Sequence, residues 1–396
     1  MRMVALYWVN YGPYHVARGR AVRALFAARG VHVRLLEGAS VERAYPWSRA
    51  DDALPIETLF PGETYETLRA GRVRQALSRW LAKNKPHGVA VPGYGVEGRA
   101  VARWARQEGK VAVLMSESRY HDLPRWRIRE WVKSLIVSAF DAALVGGTAQ
   151  ADYLAGLGMT RERIFVGYSV VDNDYFARCS QQEAHKGEAR RRELGLPAKY
   201  FLLVSRFIAV KNIPEFLEAY SRYRAVAKRR AWAVVICGSG PLEHAVRRAI
   251  GRLAIEPCAY LPGFKNYEEL PAYYGFASCL VLPSVRDTWG LVVNEAMACG
   301  LPVLVSQRCG CCGDLVRDAV NGFTFDPRDR EGMAQRLLHM SLGGVDLRGM
   351  GAASERIIEP WSPRRFAESL WHAFEAGREV AGARSRWGWM DPAIWV

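Results

Sequence analysis

The chain has 396 residues, of which half are hydrophobic and 24% charged, and its formal net charge is +15. The length predicts two domains, and the composition excludes a disordered chain. No apolar run approaches the ~20 residues of a membrane-spanning helix, and the apolar start of the chain is typical of a first β-strand rather than a signal peptide. The basic balance favours acidic partners, but charge alone is weak grounds for a nucleic-acid partner, and we expect none.

The first part of the chain alternates short apolar runs with amphipathic helical stretches, including a long helix predicted over 63–84. This alternation predicts a parallel, doubly wound α/β sheet. The predicted strands are MVALYWV (3–9), VHVRLLEG (31–38), GVAVPG (88–93), VAVLMS (111–116), AALVGG (142–147) and IFVGYSVV (164–171).

A polar stretch over 177–199 breaks this pattern and is predicted to link a first domain, 1–176, to a second domain, 200–362. The second domain repeats the alternation, so ligands are expected at the carboxyl ends of its strands, in a cleft between two domains. Its predicted strands are FLLVSR (201–206), WAVVICG (232–238), AYLPG (259–263), SCLVLPS (278–284), PVLVS (302–306) and GFTFD (322–326).

The eight cysteines lie mostly in apolar elements, which favours free thiols in a reducing, cytoplasmic compartment. The cluster Cys309-Gly310-Cys311-Cys312 lacks the second ligand pair that a structural zinc site needs, so we expect no metal there. The triplet Asp172-Asn173-Asp174 has the D-x-D spacing that can bind a divalent metal. Here it ends the first domain, so it is interpreted as a turn.

Two stretches of the second domain carry charged groups at strand ends. After the strand that ends at Ser284, a helix is expected to start near Gly290, where its free N–H groups favour a phosphate. Asp287 and Glu295 flank this start and could accept hydrogen bonds from the hydroxyls of one ligand. The alternative is an ordinary core helix with Glu295 in solvent.

The other stretch is VSRFIAVKN (204–212), in which Arg206 and Lys211 follow a strand. Two fixed cations at the mouth of a helix could hold a diphosphate through charge-assisted hydrogen bonds. The alternative is a pair of ordinary surface cations.

The run PSVRDTWGLVVNEAMACGLPVLVS (283–306) resembles the signature of family-4 retaining glycosyltransferases, except that Asp287 replaces the first Glu of the E-x₇-E pattern. Further runs are similar to motifs of that family in the same order: VVDNDYF (170–176), FLLVSRFIAVKN (201–212), VVICGSGPLE (234–243), YLPGFKNYEELPAYYGFASCLVLPS (260–284) and GDLVRDAVNGFTFDP (313–327).

The resemblance implies the α/β GT-B fold, two facing Rossmann-like domains, with a C-terminal helix over about 363–396 that packs back on the first domain. It also implies metal-independent, retaining transfer of a sugar from a nucleoside-diphosphate sugar, which is substrate and not cofactor, to a hydroxyl acceptor. Arg206 and Lys211 would bind the diphosphate, Glu295 the ribose and Asp287 the transferred sugar. The implied donor-binding residues are Arg206, Lys211, Gly263, Phe264, Asp287, Gly290, Leu291 and Glu295.

The first domain is expected to hold a saccharide, lipid-linked or small-molecule acceptor. His121 resembles the histidine that lies near the reacting carbon in this family, which makes His121, Arg206, Lys211 and Asp287 the candidate catalytic residues. In VNYGPYH (9–15) only Gly12 remains of a loop that is often glycine-rich. The acceptor-side candidates are Gly12, Tyr14, His15 and Glu117, although the aromatic rings and the histidines could be structural.

Other functions remain open at this point. A GT-B epimerase or phosphorylase would share the fold, and a nucleotide-sugar-binding relative without turnover would share the site. The basic first domain could also attach peripherally to the inner membrane face and receive a lipid-linked acceptor. The tail RWGWMDPAIWV (386–396) is expected to pack on the first domain or to form an interaction surface.

Overall fold

A computed structural model describes residues 1–43, 54–122 and 126–386. It divides the chain into two compact units: unit 1 comprises Met1–Val171 and the segment from Ser362 onward, and unit 2 comprises Asp172–Trp361. Each unit contains a parallel sheet covered by helices, which confirms the predicted α/β class.

The sheet of unit 1 has seven strands in the order β3-β2-β1-β4-β5-β6-β7, all paired in parallel. The central strands are runs of Val, Ala and Leu because helices cover both faces and exclude water from both sets of side chains. The strands are β1 Met3–Trp8, β2 His32–Val41, β3 Ile56–Thr64, β4 Gly88–Pro92, β5 Val111–Ser116, β6 Ala142–Val145 and β7 Ile164–Val166. The helices are α1 Pro13–Ala28, α2 Ala70–Asn84, α3 Val96–Gln107, α4 Arg127–Ser138, α5 Thr148–Gly156 and the C-terminal α15 Pro363–Arg386.

The sheet of unit 2 has six strands in the order β10-β9-β8-β11-β12-β13, again all parallel. Counted from its own first strand this order is 3-2-1-4-5-6, the Rossmann order, so the direction of winding reverses between β8 and β11. The strands are β8 Tyr200–Val204, β9 Ala233–Cys237, β10 Ala259–Gly263, β11 Cys279–Leu282, β12 Val303–Ser306 and β13 Gly322–Phe325. The helices are α6 Asn173–His185, α7 Gly187–Glu193, α8 Ile213–Ala227, α9 Glu243–Arg252, α10 Leu270–Phe276, α11 Leu291–Ala298, α12 Cys312–Leu315, α13 Arg330–Leu342 and α14 Leu347–Ile358.

Helix α15 supplies part of the core of unit 1. Phe374 is 1% exposed, and its ring centroid lies 6.1 Å from that of Phe26 on α1. The same ring packs against Gly88 of β4, where an added Cβ would lie 2.7 Å from Phe374 Cε1. A residue with a side chain would push the helix off the sheet, so the glycine permits the close approach. The predicted packing of the tail 387–396 lies outside the described residues.

The predicted helix over 63–84 is wrong in its first part. The stretch up to Thr64 belongs to β3, whose aromatic and β-branched residues pair with β2, and α2 begins only at Ala70. Polar residues within this edge strand hid its period of two from the sequence.

The structure divides the chain between Val171 and Asp172, whereas the sequence predicts a boundary at 176 and a linker over 177–199. Helix α6 buries Phe176 and Ser180, and α10 lies so close that a Cβ added at Gly275 would stand 2.4 Å from the Ser180 carbonyl oxygen. This packing joins the polar segment to unit 2.

Within the described residues no helix combines the length and the apolar character that crossing a bilayer requires. The eight cysteines are free thiols.

We expect Phe374→Ala to lower the free energy of unfolding of unit 1 by about 3–5 kcal/mol, because it leaves a cavity between α15, α1 and β4. Urea unfolding followed by circular dichroism measures the change. Arg364→Ala, on the same helix with a side chain that is 84% exposed, is the control and should leave the midpoint unchanged. Equal midpoints for the two variants would contradict the role of α15 in the core.

Candidate functional site

The carboxyl ends of β8 and β11 bring two loops of unit 2 together at the point where the strand order reverses. The Val285 amide donates a hydrogen bond to the Val210 carbonyl at 2.9 Å, which ties the loop after β11 to the loop after β8. In open α/β sheets such a reversal leaves a crevice in which ligands bind. The sequence-predicted cations and carboxylates of this unit follow these strands.

An ion pair joins the two loops. Lys211 Nζ lies 2.5 Å from Asp287 Oδ2, and the side chains are 18% and 12% exposed. Lys211 ends a 3₁₀ turn, and the next residue, Asn212, is held in the left-handed region while its side-chain amide donates to the Pro327 carbonyl at 2.8 Å. The lysine is therefore fixed in place, and the alternative of a freely solvated surface cation is excluded for Lys211.

Gly290 is the N-cap residue of α11 and has φ +101°, a conformation that favours glycine. A Cβ there would also lie 2.8 Å from Leu282 Cδ2. The first helical residue is Leu291, so the helix starts where the sequence predicts. The first helical residue of α11 thus lies four positions after Asp287, so the N-terminal N–H groups of the helix are at the same strand end.

The cysteine cluster holds the loop of Asp287 and Trp289 through backbone hydrogen bonds. The Gly310 amide donates to the Asp287 carbonyl at 3.0 Å, and the Cys311 amide donates to the Trp289 carbonyl at 3.1 Å. Cys309 and Cys311 are buried, and burial raises the pKa of the Cys311 thiol, which keeps it neutral. Among the described residues no group of three or more His, Cys, Asp or Glu is arranged to hold a metal ion.

Glu295 is fully buried a little more than one turn into α11. The Tyr274 hydroxyl on α10 donates a hydrogen bond to Glu295 Oε2 at 2.5 Å. The alternative of a solvated Glu295 is therefore wrong: the carboxylate points into the unit, where a hydroxyl group holds it. In the sequence Tyr274 is one of several aromatic residues in the run 260–284, and nothing there indicates that it contacts Glu295.

Arg206 is exposed and follows β8 in a turn that backbone bonds hold against the end of β9. The Ser205 amide donates to the Cys237 carbonyl at 3.0 Å, and the Phe207 amide donates to the Ser239 carbonyl at 2.7 Å. These bonds fix the backbone on both sides of Arg206, whose side chain is exposed.

The third loop at the same edge of the sheet follows β10. The Gly238 amide donates to the Gly263 carbonyl at 2.9 Å, so the ends of β9 and β10 run side by side. Phe264, the next residue, is 38% exposed. The predicted nucleobase contacts therefore lie two strands from the Lys211–Asp287 pair on the sheet.

In unit 1 the corresponding loop follows β1. Gly12 caps α1, with Pro13 at the first helical position, where its missing N–H and fixed φ suit the helix. The His15 ring lies 4.6 Å from the Trp8 ring, and Tyr14 is half-buried. Burial, helped by the nearby Arg18 charge, lowers the pKa of His15 to about 3, so its imidazole is neutral near pH 7.

Behind this loop lies a buried arginine that the sequence gave no reason to single out. Arg18 is 2% exposed, and its Nε and Nη2 donate to the Val170 carbonyl at 3.2 and 2.9 Å. Its guanidinium carbon stands 5.0 Å from the centre of the Tyr168 ring. Glu117 belongs to the same neighbourhood and accepts a hydrogen bond from Ser169 at 2.7 Å. The structure therefore brings Glu117 close to the start of α1.

His121 lies elsewhere in unit 1, exposed in the 3₁₀ turn Tyr120–Asp122 that follows β5. It lines a pocket of about 690 Å³ together with residues of α4 and α5, among them Trp131 and Tyr153. Asp122 accepts hydrogen bonds from the Arg119 amide and guanidinium at 2.8 and 2.9 Å, which fixes the turn that carries the histidine.

The Asp172 triplet is a helix start. Asp172 Oδ1 accepts a hydrogen bond from the Tyr175 amide at 3.0 Å and so caps α6. The Asn173 side-chain amide donates to the Ile358 and Trp361 carbonyls at 2.9 and 3.2 Å. These partners tie the start of α6 to the end of α14.

We expect Tyr274→Phe to lower the free energy of unfolding of unit 2 by about 1–3 kcal/mol, because it removes a donor from a buried carboxylate. Chemical denaturation measures the change, with Tyr260→Phe, 36% exposed, as the matched control. A Tyr274→Phe protein as stable as the control would show that the hydroxyl contributes nothing to holding Glu295.

His15 should make unit 1 less stable in acid. Its pKa is about 3 in the folded protein and about 6.5 when unfolded, so protons bind the unfolded chain first and stability falls as the pH drops below about 6.5. Between pH 7 and pH 5 the loss due to His15 should be about 2 kcal/mol, and His15→Gln should remove it. His372→Gln, with a side chain 58% exposed, is the control. An unchanged pH dependence in His15→Gln would exclude a buried, neutral His15.

Comparison with known proteins relates part of unit 2 to a described family. Residues 187–350, within unit 2, match the family described as glycosyl transferases group 1. An uncharacterised glycosyltransferase of Methanocaldococcus jannaschii is 30% identical over 178 residues, which cover 44% of this chain and 40% of that protein. In this match the chain spans less than half the length of its curated relative.

Solved structures match almost the whole chain. The sucrose-phosphate synthase of Thermosynechococcus elongatus has a TM-score of 0.75 at 18% identity, covering 97% of this chain and 100% of that one. Anabaena HepE in complex with UDP has a TM-score of 0.66 at 14% identity, covering 98% and 100%. These likenesses concern the fold. They show that the chain has the GT-B fold, within which residues 187–350 of unit 2 match the group 1 glycosyltransferases.

Proposed function

We propose that this protein is a retaining glycosyltransferase that moves a sugar from a nucleoside-diphosphate sugar to a hydroxyl acceptor without a bound metal. The observation that carries the proposal is the Lys211–Asp287 ion pair at the strand-order reversal of unit 2, beside the N-terminus of α11. A cation, a helix N-terminus and a carboxylate are together what a donor with phosphates and sugar hydroxyls requires.

The donor diphosphate would compete with Asp287 for Lys211. Phosphate oxygens carry more charge than one carboxylate and would also accept from Arg206 and from the N-terminal amides of α11. Asp287, released from the lysine, would then accept hydrogen bonds from hydroxyls of the sugar. The ion pair thus keeps both side chains in position until a ligand replaces it.

In the reaction the bond between the anomeric carbon and the diphosphate oxygen breaks, the oxygen of the acceptor hydroxyl forms a new bond to that carbon, and the hydroxyl proton passes to the departing diphosphate. Negative charge grows on the departing diphosphate, where Lys211 and Arg206 would stabilise it. Such preorganised charges lower the barrier because they need no reorganisation during the step. They also supply the positive charge that a metal ion would otherwise provide, which supports metal independence.

Glu295 would bind the donor ribose, with Tyr274 orienting its carboxylate. Since Glu295 is buried, we infer that the ribose reaches it only after a local movement of the loop at Gly290. Gly263 and Phe264 would contact the nucleobase, and the exposed ring of Phe264 offers a stacking surface. HepE, of the same fold, is known in complex with UDP, which makes a uridine nucleotide the first donor to test.

Unit 1 would hold the acceptor, a saccharide, a lipid-linked sugar or a small molecule. His121, in its exposed turn beside the 690 Å³ pocket, is the residue we assign to the reacting end of the acceptor or donor sugar. Gly12, Tyr14, His15 and Glu117 would shape the acceptor side. The eight free thiols support a reducing, cytoplasmic location for the reaction.

A thermal-shift screen against nucleotide sugars tests the proposal. One donor should raise the midpoint of unit 2, by the equivalent of about 2.7 kcal/mol at a concentration 100 times its Kd. Lys211→Ala should abolish this shift and reduce transfer by about 10²–10³-fold. Lys199→Ala is the matched control, because this exposed lysine precedes β8 at its amino end.

Two outcomes would go against the proposal. A Lys211→Ala protein with the shift and the activity of the wild type would show that the donor binds elsewhere. A selective shift without transfer or donor hydrolysis would indicate a binding protein that does not turn over its ligand.

A further inference from the structure

Helix α4 of unit 1 carries an apolar face that its own unit leaves in solvent. Ile128 is 76% exposed, Trp131 63% and Val132 41%, and Trp126, the residue before the helix, is 65% exposed. Large apolar side chains scattered singly over a surface need no explanation, but a contiguous group marks an interaction site.

The spacing puts these residues on one side of the helix. Ile128, Trp131 and Val132 stand at positions i, i+3 and i+4 and are therefore neighbours on its surface. Val137, nine positions after Ile128, points the opposite way and is 1% exposed. The helix thus has one apolar side packed on the core of unit 1 and a second one facing outward.

Cations border the outward face. One turn of an α-helix puts Arg127 and Arg129 about 100° to either side of Ile128, and both arginines are exposed. The Arg129 guanidinium carbon lies 5.3 Å from the centre of the Trp126 ring. Lys133, on the packed side, donates to Glu130 at 3.1 Å and to Tyr153 on α5 at 2.9 Å, which anchors the helix to the unit.

We propose that this face of α4 docks on an anionic lipid bilayer. Apolar and tryptophan side chains along a helix with arginines at the borders suit the boundary between acyl chains and negatively charged headgroups. Twelve residues span about 18 Å, too short for a hydrocarbon core of about 30 Å, so the helix lies in the interface and does not cross it.

The arginines favour lipid over a second copy of this chain. A two-fold contact through this face would set Arg127 and Arg129 near their own symmetry mates, and like charges facing each other in an interface oppose association. A bilayer with anionic lipids neutralises the same arginines and covers the same apolar side chains. The inference concerns attachment and needs no turnover, so it stands apart from the proposed reaction.

Co-sedimentation with vesicles tests the proposal on the full chain. Wild-type protein should bind vesicles of phosphatidylcholine and phosphatidylglycerol, 7:3, but not of phosphatidylcholine alone, and added salt should weaken binding. The triple variant Trp126→Ser, Ile128→Ser, Trp131→Ser should need at least about ten times more lipid for half-binding. The pair Arg127→Gln, Arg129→Gln should lose the preference for anionic vesicles.

Matched controls lie in unit 2. Val226→Ser replaces another strongly exposed apolar residue, and Arg229→Gln with Arg230→Gln removes two other exposed arginines. Both controls should bind as the wild type does, and all variants should keep the wild-type melting midpoint because the replaced side chains are in solvent.

The proposal is overturned if the wild type does not sediment with anionic vesicles at low salt. It is also overturned if the triple variant binds them like the wild type, since another surface would then be responsible. Sedimentation velocity tests the alternative that a second copy of the chain binds this face. A wild-type dimer that the triple variant breaks, without vesicle binding, would assign the face to that second copy.

Discussion

The contact between Lys211 and Asp287 organises the candidate site of unit 2. It exists because the strand order reverses between β8 and β11, so that loops far apart in sequence leave neighbouring strands at one edge. A backbone bond, a glycine cap and the pairing of the loop with the Cys309–Cys311 segment then set the position of the aspartate. Each of these features alone is ordinary, and their convergence on one ion pair is the reason why we propose a charged ligand there.

The fold class and the start of α11 could be predicted because their signals are local. Continuous apolar runs identify buried parallel strands, and Gly290 marks a helix start by its position after Ser284. The edge strand β3 was missed because polar residues interrupt its period, so only pairing with β2 reveals it. The segment 177–199 belongs to unit 2 because α6 packs against α10. Its polar composition gives no indication of this contact.

The sequence offers candidate residues for the site, but it does not reveal which of them contact one another. The sequence placed Lys211 on phosphate and Asp287 on sugar, and nothing in their spacing indicates that they bind each other. Tyr274 and Arg18 were missed for a similar reason. A buried hydroxyl or guanidinium is recognised by the acceptor it meets, here Glu295 or the Val170 carbonyl, and these acceptors lie 21 and 152 positions away along the chain.

The C-terminal helix has a consequence for how the protein is made. Unit 1 takes its first 171 residues from the start of the chain but completes its core only with α15, after the whole of unit 2 has been synthesised. At about 5–20 residues per second, the ribosome would need roughly 10–40 s to bridge that interval. During this time the surfaces of β4 and α1 that receive Phe374 are uncovered. Until α15 has been made, the nascent first unit therefore exposes apolar surface to aggregation and to chaperones.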